Sequence, residues 1–258
     1  MCEMLGISAR RRLPANAILR EFFSHAEQHP HGWGLARFSE RGVPSVEKEP
    51  VKATASAYLK HRLDWPIEEH TLLAHIRLAT VGTMEYANCH PFVCEDNRGR
   101  TWTLVHNGTV FNGNILNGYM GIQFGDTDSE RVLIHLVEQI NLEQIRLHRA
   151  LGETERFALL SEAIADIADG NKLNLLIFDG EVMYAHTNFR DSLHMWRQTE
   201  SVLFSTRPLS VGTWEEVPFT RLVAVRAGEV VREGESHGRE YIYNPEDYRF
   251  VYMNFARL

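Results

Sequence analysis

Two neighbouring amphipathic segments, set between two blocks of short β-rich runs, constrain this chain more than any other feature. The first segment follows Thr127 and puts Val132, Leu136, Val137 and Ile140 on one helical face; Thr127 and Glu130 have the spacing of a capping box. The second, over residues 154–168, does the same with Phe157, Leu160, Ile164 and Ile167. Ahead of them, strands are expected at residues 2–8, 33–38, 72–76 and 102–105, with helices over 15–28 and 54–62. Behind them come strand-like runs at 173–178, 182–186, 194–197, 202–205, 222–226 and 229–232, joined by turns such as Asp179-Gly180 and Ala227-Gly228. A sheet needs a partner for its apolar face and a helix for its apolar stripe. The order strands, helices, strands therefore fits two packed sheets with helices outside.

With 258 residues, 44% of them hydrophobic and 24% charged, the chain has an ordinary globular composition. The net charge of −7 and the lack of any basic run beyond Arg10-Arg11-Arg12 argue against a nucleic-acid-binding surface. No apolar run is long enough for a membrane span, and no secretory leader pattern is seen. Three cysteines without scaffold spacing point to a reducing, cytoplasmic compartment. The chain reads as one domain over residues 2–258, in which a Tyr-rich tail over 237–258 is an extension: an extra strand, a lid or a dimer contact.

Cys2 directly follows the initiator Met. Removal of Met1, expected before so small a residue, leaves a thiol and a free α-amine on one residue. The amine then serves as general base for its own side chain. Both groups titrate near neutral pH, at roughly 7.7–8.0 for the amine and roughly 8.5 for a free thiol.

Four segments accompany it: Met1-Cys2-Glu3-Met4-Leu5-Gly6; Ala74-His75-Ile76-Arg77-Leu78-Ala79-Thr80 with Asn88-Cys89-His90-Pro91-Phe92; His106-Asn107-Gly108; and Gly125-Asp126-Thr127-Asp128-Ser129-Glu130. In order and rough spacing they resemble the class II glutamine amidotransferase domain, the N-terminal-nucleophile (Ntn) hydrolase glutaminase. The turn His31-Gly32-Trp33-Gly34 is similar to that of the short, stand-alone members, and the likeness extends through Asn174-Leu175-Leu176 and Ser205-Thr206-Arg207-Pro208-Leu209. The resemblance implies an α+β fold, the four-layer αββα sandwich, with no cofactor and no metal. It also implies glutamine or a γ-glutamyl small molecule as substrate.

Such a substrate is a zwitterion carrying a neutral amide. Its site needs a cation for the α-carboxylate, an anion for the α-ammonium, a nucleophile and an oxyanion hole. The resemblance assigns Cys2 as nucleophile, Asn107 and Gly108 as oxyanion donors, and Arg77, Thr80, His90 and Asp128 to substrate binding. Each has a plainer alternative. Arg77 ends an apolar strand and, buried there, would need an anion. Asp128 suits a helix N-terminus through the macrodipole alone, with Asp126 close by. Asn107-Gly108 also fits a type I′ hairpin turn. Thr80 either hydrogen-bonds the carboxylate or does not. His90, extended before Pro91, is either a pocket residue or a packed loop histidine. Cys89 and Cys94 read as inert thiols, and with His90 they lack zinc spacing.

Leu78, Val81 and His31 depart from the residues of larger family members, which bears on pocket specificity more than on Cys2 chemistry. The resulting expectation is a stand-alone amidohydrolase releasing glutamate and ammonia. Its alternatives are a glutaminase subunit serving a separate ammonia-accepting enzyme, a γ-glutamyl hydrolase acting on a metabolite, and a binding module that has lost catalysis.

Overall fold

Leu5 and Ile7 of strand β1 (Glu3–Pro14) are buried against one layer of the molecule, and Met4, just before them, against another. A strand apolar on both faces has to lie inside a sheet covered on both sides, and the computed structural model, which describes residues 2–247, places it so. After β1 come α1 (Asn16–Ser24), β2 (Trp33–Phe38), β3 (Pro44–Glu49), α2 (Ala57–Asp64), β4 (Glu68–Ile76), β5 (Phe92–Glu95) and β6 (Thr101–Thr109). Then follow α3 (Asp128–Leu147), α4 (Glu153–Ala168), β7 (Lys172–Phe178), β8 (Met183–His186), β9 (His194–Arg197), β10 (Ser201–Ser205), β11 (Glu215–Glu216), β12 (Leu222–Arg226) and β13 (Glu229–Glu233).

One sheet has the order β11-β9-β10-β1-β4-β2-β3 and the other β13-β12-β8-β7-β6-β5. Neighbouring strands are antiparallel. Three apolar layers hold the stack. Leu19, Phe22, Leu59 and Leu63 of α1 and α2 cover Leu5, Leu72 and Ile76 of the first sheet. Val132, Leu136, Leu160 and Ile164 of α3 and α4 cover Leu104, Leu173 and Leu175 of the second. Between the sheets, Met4, Leu73 and Phe204 meet Val105, Leu176, Met183 and Val223. The result is an α+β fold, the four-layer αββα sandwich. At Gly6 a Cβ would sit 2.9 Å from Leu176 Cδ1, so the absence of a side chain there lets the sheets approach. Among the described residues no helix is long and apolar enough to cross a membrane.

Several elements differ from the sequence reading. The helix expected over 15–28 ends at Ser24, and His25–Gln28 continue as a 3₁₀ turn. Three strands were not expected: β3, β5 and β11. All lie at or next to a sheet edge or are edges themselves, where apolar alternation is not required. The capping box at α3 is half formed. Thr127 Oγ1 accepts the Glu130 N–H at 3.2 Å, but the Glu130 carboxylate binds the N–H groups of Phe124 and Gly125 instead. Of the tail, residues 248–258 lie outside the described residues. The part before them returns to the body, with Tyr241 N–H donating to Asn188 O at 2.8 Å.

Leu176 is fully buried in the layer between the sheets. Leu176→Ala should cost about 2–5 kcal/mol of stability, read as a lowered denaturant midpoint at unchanged slope. A loss below about 1 kcal/mol would show that this layer collapses around the gap rather than keeping it.

Candidate active site

Cys2 stands one residue ahead of β1, and β1 is flanked by β4 and β10. The pairing Glu3↔Ile76 brings the chain after β4 alongside the thiol. Cys2 Sγ accepts the Leu78 N–H at 3.3 Å and lies 3.4 Å from Leu78 O, to which the S–H donates. The amide favours a thiolate and burial opposes it; burial dominates and pushes the thiol above its ordinary range. At neutral pH the sulfur is therefore protonated and needs a base.

The segment after β4 is held by the turn before β2. Arg77 N–H donates to Gly32 O at 2.8 Å and His31 N–H to Arg77 O at 3.0 Å. Ala79 N–H donates to His31 Nδ1 at 2.9 Å, which requires that nitrogen to be unprotonated. Burial, with Arg77 nearby, lowers the His31 pKa and keeps it so.

Arg77 is buried, but its partners are not anions, contrary to the expectation from its sequence position. Nη1 donates to Thr83 O at 2.8 Å, and Nη2 to Val81 O and Gly82 O at 2.8 and 3.0 Å. These bonds use three of the five guanidinium N–H donors. The carbonyl loop is pinned in turn. Thr83 N–H donates to Asp126 Oδ1 at 3.3 Å, and Asn88 Nδ2 donates to Thr83 O at 3.1 Å. Gly82, at φ +82°, leaves no room there for a side chain. Thr80 Oγ1 is 3.1 Å from Thr109 Oγ1, at the end of β6.

Asn107 and Gly108 lie inside β6, opposite Asn174 and Leu173 of β7, not in a hairpin turn. The Asn-Gly turn preference yields here to a continuous ladder. A Cβ on Gly108 would come within 2.2 Å of His106 Nε2 and closer still to Lys172 O. Asn107 is buried and its Nδ2 donates to Thr206 Oγ1 at 3.4 Å, while Met4 N–H donates to the same oxygen at 3.0 Å. Thr206 thus ties the oxyanion candidate to the nucleophile's strand.

Asp128 opens α3. Its Oδ2 accepts the Val110 N–H at 2.8 Å and its Oδ1 the Ser129 N–H at 2.9 Å. His106 Nε2–H donates to Lys172 O at 3.1 Å, leaving Nδ1 to accept from Ser129 Oγ at 2.9 Å. His90, joined to Pro91 by a cis peptide, is buried and stacks on His75 with ring centroids 3.9 Å apart. It packs between elements and does not line the cavity at Cys2. Burial holds both rings neutral. Cys89 is buried and its thiol pushed up to about 11; burial also raises the half-buried Cys94.

A cavity of about 330 Å³ opens on Cys2, Leu78 and Asn107; across it lie Lys172, Phe189 and Arg207. Arg77, Thr80 and Asp128 are not part of that wall. The structure therefore brings Cys2 and Asn107 to one surface, to which the two head-group candidates do not contribute. Lys172, Thr206 and Asn88 were not singled out from the sequence. For Thr206 and Asn88 the signal was present, since both fall within segments already matched. Lys172 carried none: it reads as the polar start of a strand.

The sequence profile described as glutamine amidotransferases class-II matches residues 1–200. An uncharacterized protein of Methanocaldococcus jannaschii is 30% identical over 263 residues, covering 90% of this chain and 71% of that one. YafJ of Escherichia coli, named as a glutamine amidotransferase, is 31% identical over 202 residues, 72% of each chain. Among solved structures, glutamine phosphoribosylpyrophosphate amidotransferase from B. subtilis superposes with a TM-score of 0.67 at 16% identity over 93% of this chain, which spans 50% of that enzyme. A protein of Pseudomonas aeruginosa described as a predicted glutamine amidotransferase gives 0.61 at 20% identity, over 90% of this chain and 100% of its own. The structural likenesses identify the sandwich as that of Ntn-type amidotransferase domains. With the profile covering most of its length, the chain belongs to the class II glutamine amidotransferases, enzymes that act on the side-chain amide of glutamine.

Proposed function

We propose that this protein hydrolyses a γ-glutamyl amide, with glutamine as the parent substrate, using Cys2 as an N-terminal nucleophile. One observation carries the reading: Cys2 and the Asn107 amide face the same cavity, with the sulfur already hydrogen-bonded to main chain. With Met1 removed, the α-amine takes the thiol proton and the sulfur attacks the side-chain carbonyl. Asn107 Nδ2 and the Gly108 N–H receive the oxyanion. The amine returns its proton to the leaving nitrogen, and water then hydrolyses the γ-glutamyl thioester to glutamate.

Arg77 and Asp128 take the two ends of the zwitterion. Arg77 offers its remaining donors to the α-carboxylate, and Asp128 has lone pairs beyond the two that its main-chain partners use. Thr80, whose hydroxyl lies 3.1 Å from that of Thr109, the residue after Gly108, adds a hydroxyl to the same head-group site. The working unit is residues 2–258 as one domain in the cytoplasm. Comparing hydrolysis of glutamine with that of N-substituted γ-glutamyl amides decides between ammonia and a larger leaving group.

Cys2→Ala should abolish glutamate release with the fold intact, since the side chain sits ahead of the strand and leaves little cavity. Undiminished release from the folded variant would sink the mechanism. The pH profile of kcat/KM identifies the base. Because burial holds the thiol above its ordinary range, activity should rise through the amine's own range, roughly pH 7.7–8.0. An ascending limb running above pH 9 would mean that the thiol ionises unaided.

Asp128→Asn keeps the shape of the helix start and removes the anion. It should lower kcat/KM for glutamine by about 2–5 kcal/mol and leave an analogue lacking the α-amine nearly unaffected. Equal losses on both substrates would make Asp128 structural.

A further inference from the structure

The segment after β13 stays on the body. Gly234 N–H donates to Leu222 O at 2.8 Å, His237 N–H to Thr220 O at 3.0 Å and Tyr241 N–H to Asn188 O at 2.8 Å. Residues 234–241 thus form a strap along the end of the second sheet where Leu173, His186 and Leu222 lie. The far end of the strap bears on the candidate active site. Tyr241 is buried, and its ring stands edge-on to Phe189, a cavity-wall residue, with centroids 5.7 Å apart.

Two imidazoles join the middle of the strap to the sheet. His237 Nε2 lies 2.9 Å from His186 Nε2, and His186 is fully buried. Their other nitrogens fix which atoms carry hydrogen. His186 Nδ1 is 2.9 Å from Leu173 O, which can only accept, so Nδ1 holds the hydrogen and Nε2 is bare. His237 Nδ1 accepts the Arg239 N–H at 3.0 Å, so its hydrogen is on Nε2. A single chain results: Arg239 N–H to His237, His237 Nε2–H to His186, and His186 Nδ1–H to Leu173 O. It is complete with two neutral rings and has no place for a third ring proton. On His237 Nδ1 that proton would face the Arg239 N–H, and on His186 Nε2 it would face the His237 N–H.

We propose that His186 and His237 form a pH-sensitive latch, which holds the strap at neutral pH and releases it in acid, withdrawing Tyr241 from Phe189. The latch is independent of which residue is the nucleophile. In the released strap both rings meet water and titrate in the ordinary histidine range, roughly pH 6.5. In the latched form burial lowers both, His186 to about 3. Below about pH 6.5 the released form therefore binds more protons, and the latch weakens as the pH falls. The charged or titratable groups that act on the pair are His106, from β6, and Arg239, from the strap itself. Both oppose a further proton, and among the described residues no carboxylate contributes to the shift of either ring.

Hydrogen exchange of the full-length protein, followed by mass spectrometry from pH 7 to pH 5, reads the latch without turnover. Each rate is compared with that of an unstructured chain at the same pH, giving a protection factor. For the Arg239 and Tyr241 amides it should fall by more than about tenfold per pH unit below about pH 6, because two protons are taken up. Amides in the middle of β7, between β6 and β8, should keep theirs, which separates release of the strap from unfolding. His237→Gln leaves one titrating ring, so its fall should be no steeper than about tenfold per pH unit. His186→Gln combined with His237→Gln should abolish the fall. Protection of the wild-type strap that does not change from pH 7 to pH 5 overturns the proposal. So does a fall as steep in the double variant as in the wild type or, should the double variant not fold, in His237→Gln alone.

Discussion

The site depends on β1 being a central strand. A residue just ahead of an edge strand would have one ladder to hold it. Cys2 has two, because β1 pairs with β4 on one side and β10 on the other. The ladder to β4 delivers Leu78 to the sulfur, and the strand end of β10 delivers Thr206 to Met4 N–H and to Asn107. Cys2 and Asn107, the proposed nucleophile and oxyanion donor, come from different sheets, so their separation is set by the apolar layer between the sheets. Filling that layer with Met4, Leu73, Val105 and Leu176 is thus also what sets the site geometry.

Charge in this region is answered mostly by main chain. Arg77 is held by carbonyls, Asp128 by N–H groups, and the thiol by one of each. Main-chain groups bring partial charges without a long side chain to order, so little reorganisation is needed when substrate arrives. On the proposed function, this leaves cation and anion to meet their counterparts on a zwitterion instead of neutralising each other. An Arg77–Asp128 salt bridge would have filled the site with its own ion pair. The three buried rings His75, His90 and His106 follow the same economy: burial keeps them neutral, and they add shape without charge.

Much of this was legible in the residues. The near-continuous apolar runs of β1, β4 and β7, buried on both faces, and the stripes of α3 and α4 are visible in the residues, and the two-sheet arrangement follows from them. Edge strands β3 and β11 were not legible, because a strand with solvent on one side or at its rim need not alternate apolar and polar residues; Pro44–Glu49 has one apolar side chain among charged ones. Asn107-Gly108 misled for a physical reason. A local turn preference of two residues is weaker than seven paired positions between β6 and β7. Arg77 was placed correctly on a buried strand end, but a rule pairing buried cations with anions overlooks carbonyls, which can serve the same purpose. Lys172 stayed hidden because nothing in a sequence distinguishes a lysine at a solvent-exposed strand start from one folded into a cavity.

The residues that depart from larger family members illustrate which parts of such a site can vary. Both contacts of Leu78 to Cys2 run through its backbone N–H and C=O. The His31 ring accepts a hydrogen bond from Ala79 N–H. Activation of the sulfur is therefore insulated from these side chains. What a side chain at position 78 does reach is the cavity, since Leu78 forms part of its wall. On the proposed mechanism the two sides of Cys2 are under different constraints: a head group bound by Arg77 and Asp128 has constant charge, whereas the cavity wall formed by Phe189 and Lys172 can change with whatever the γ-glutamyl nitrogen carries.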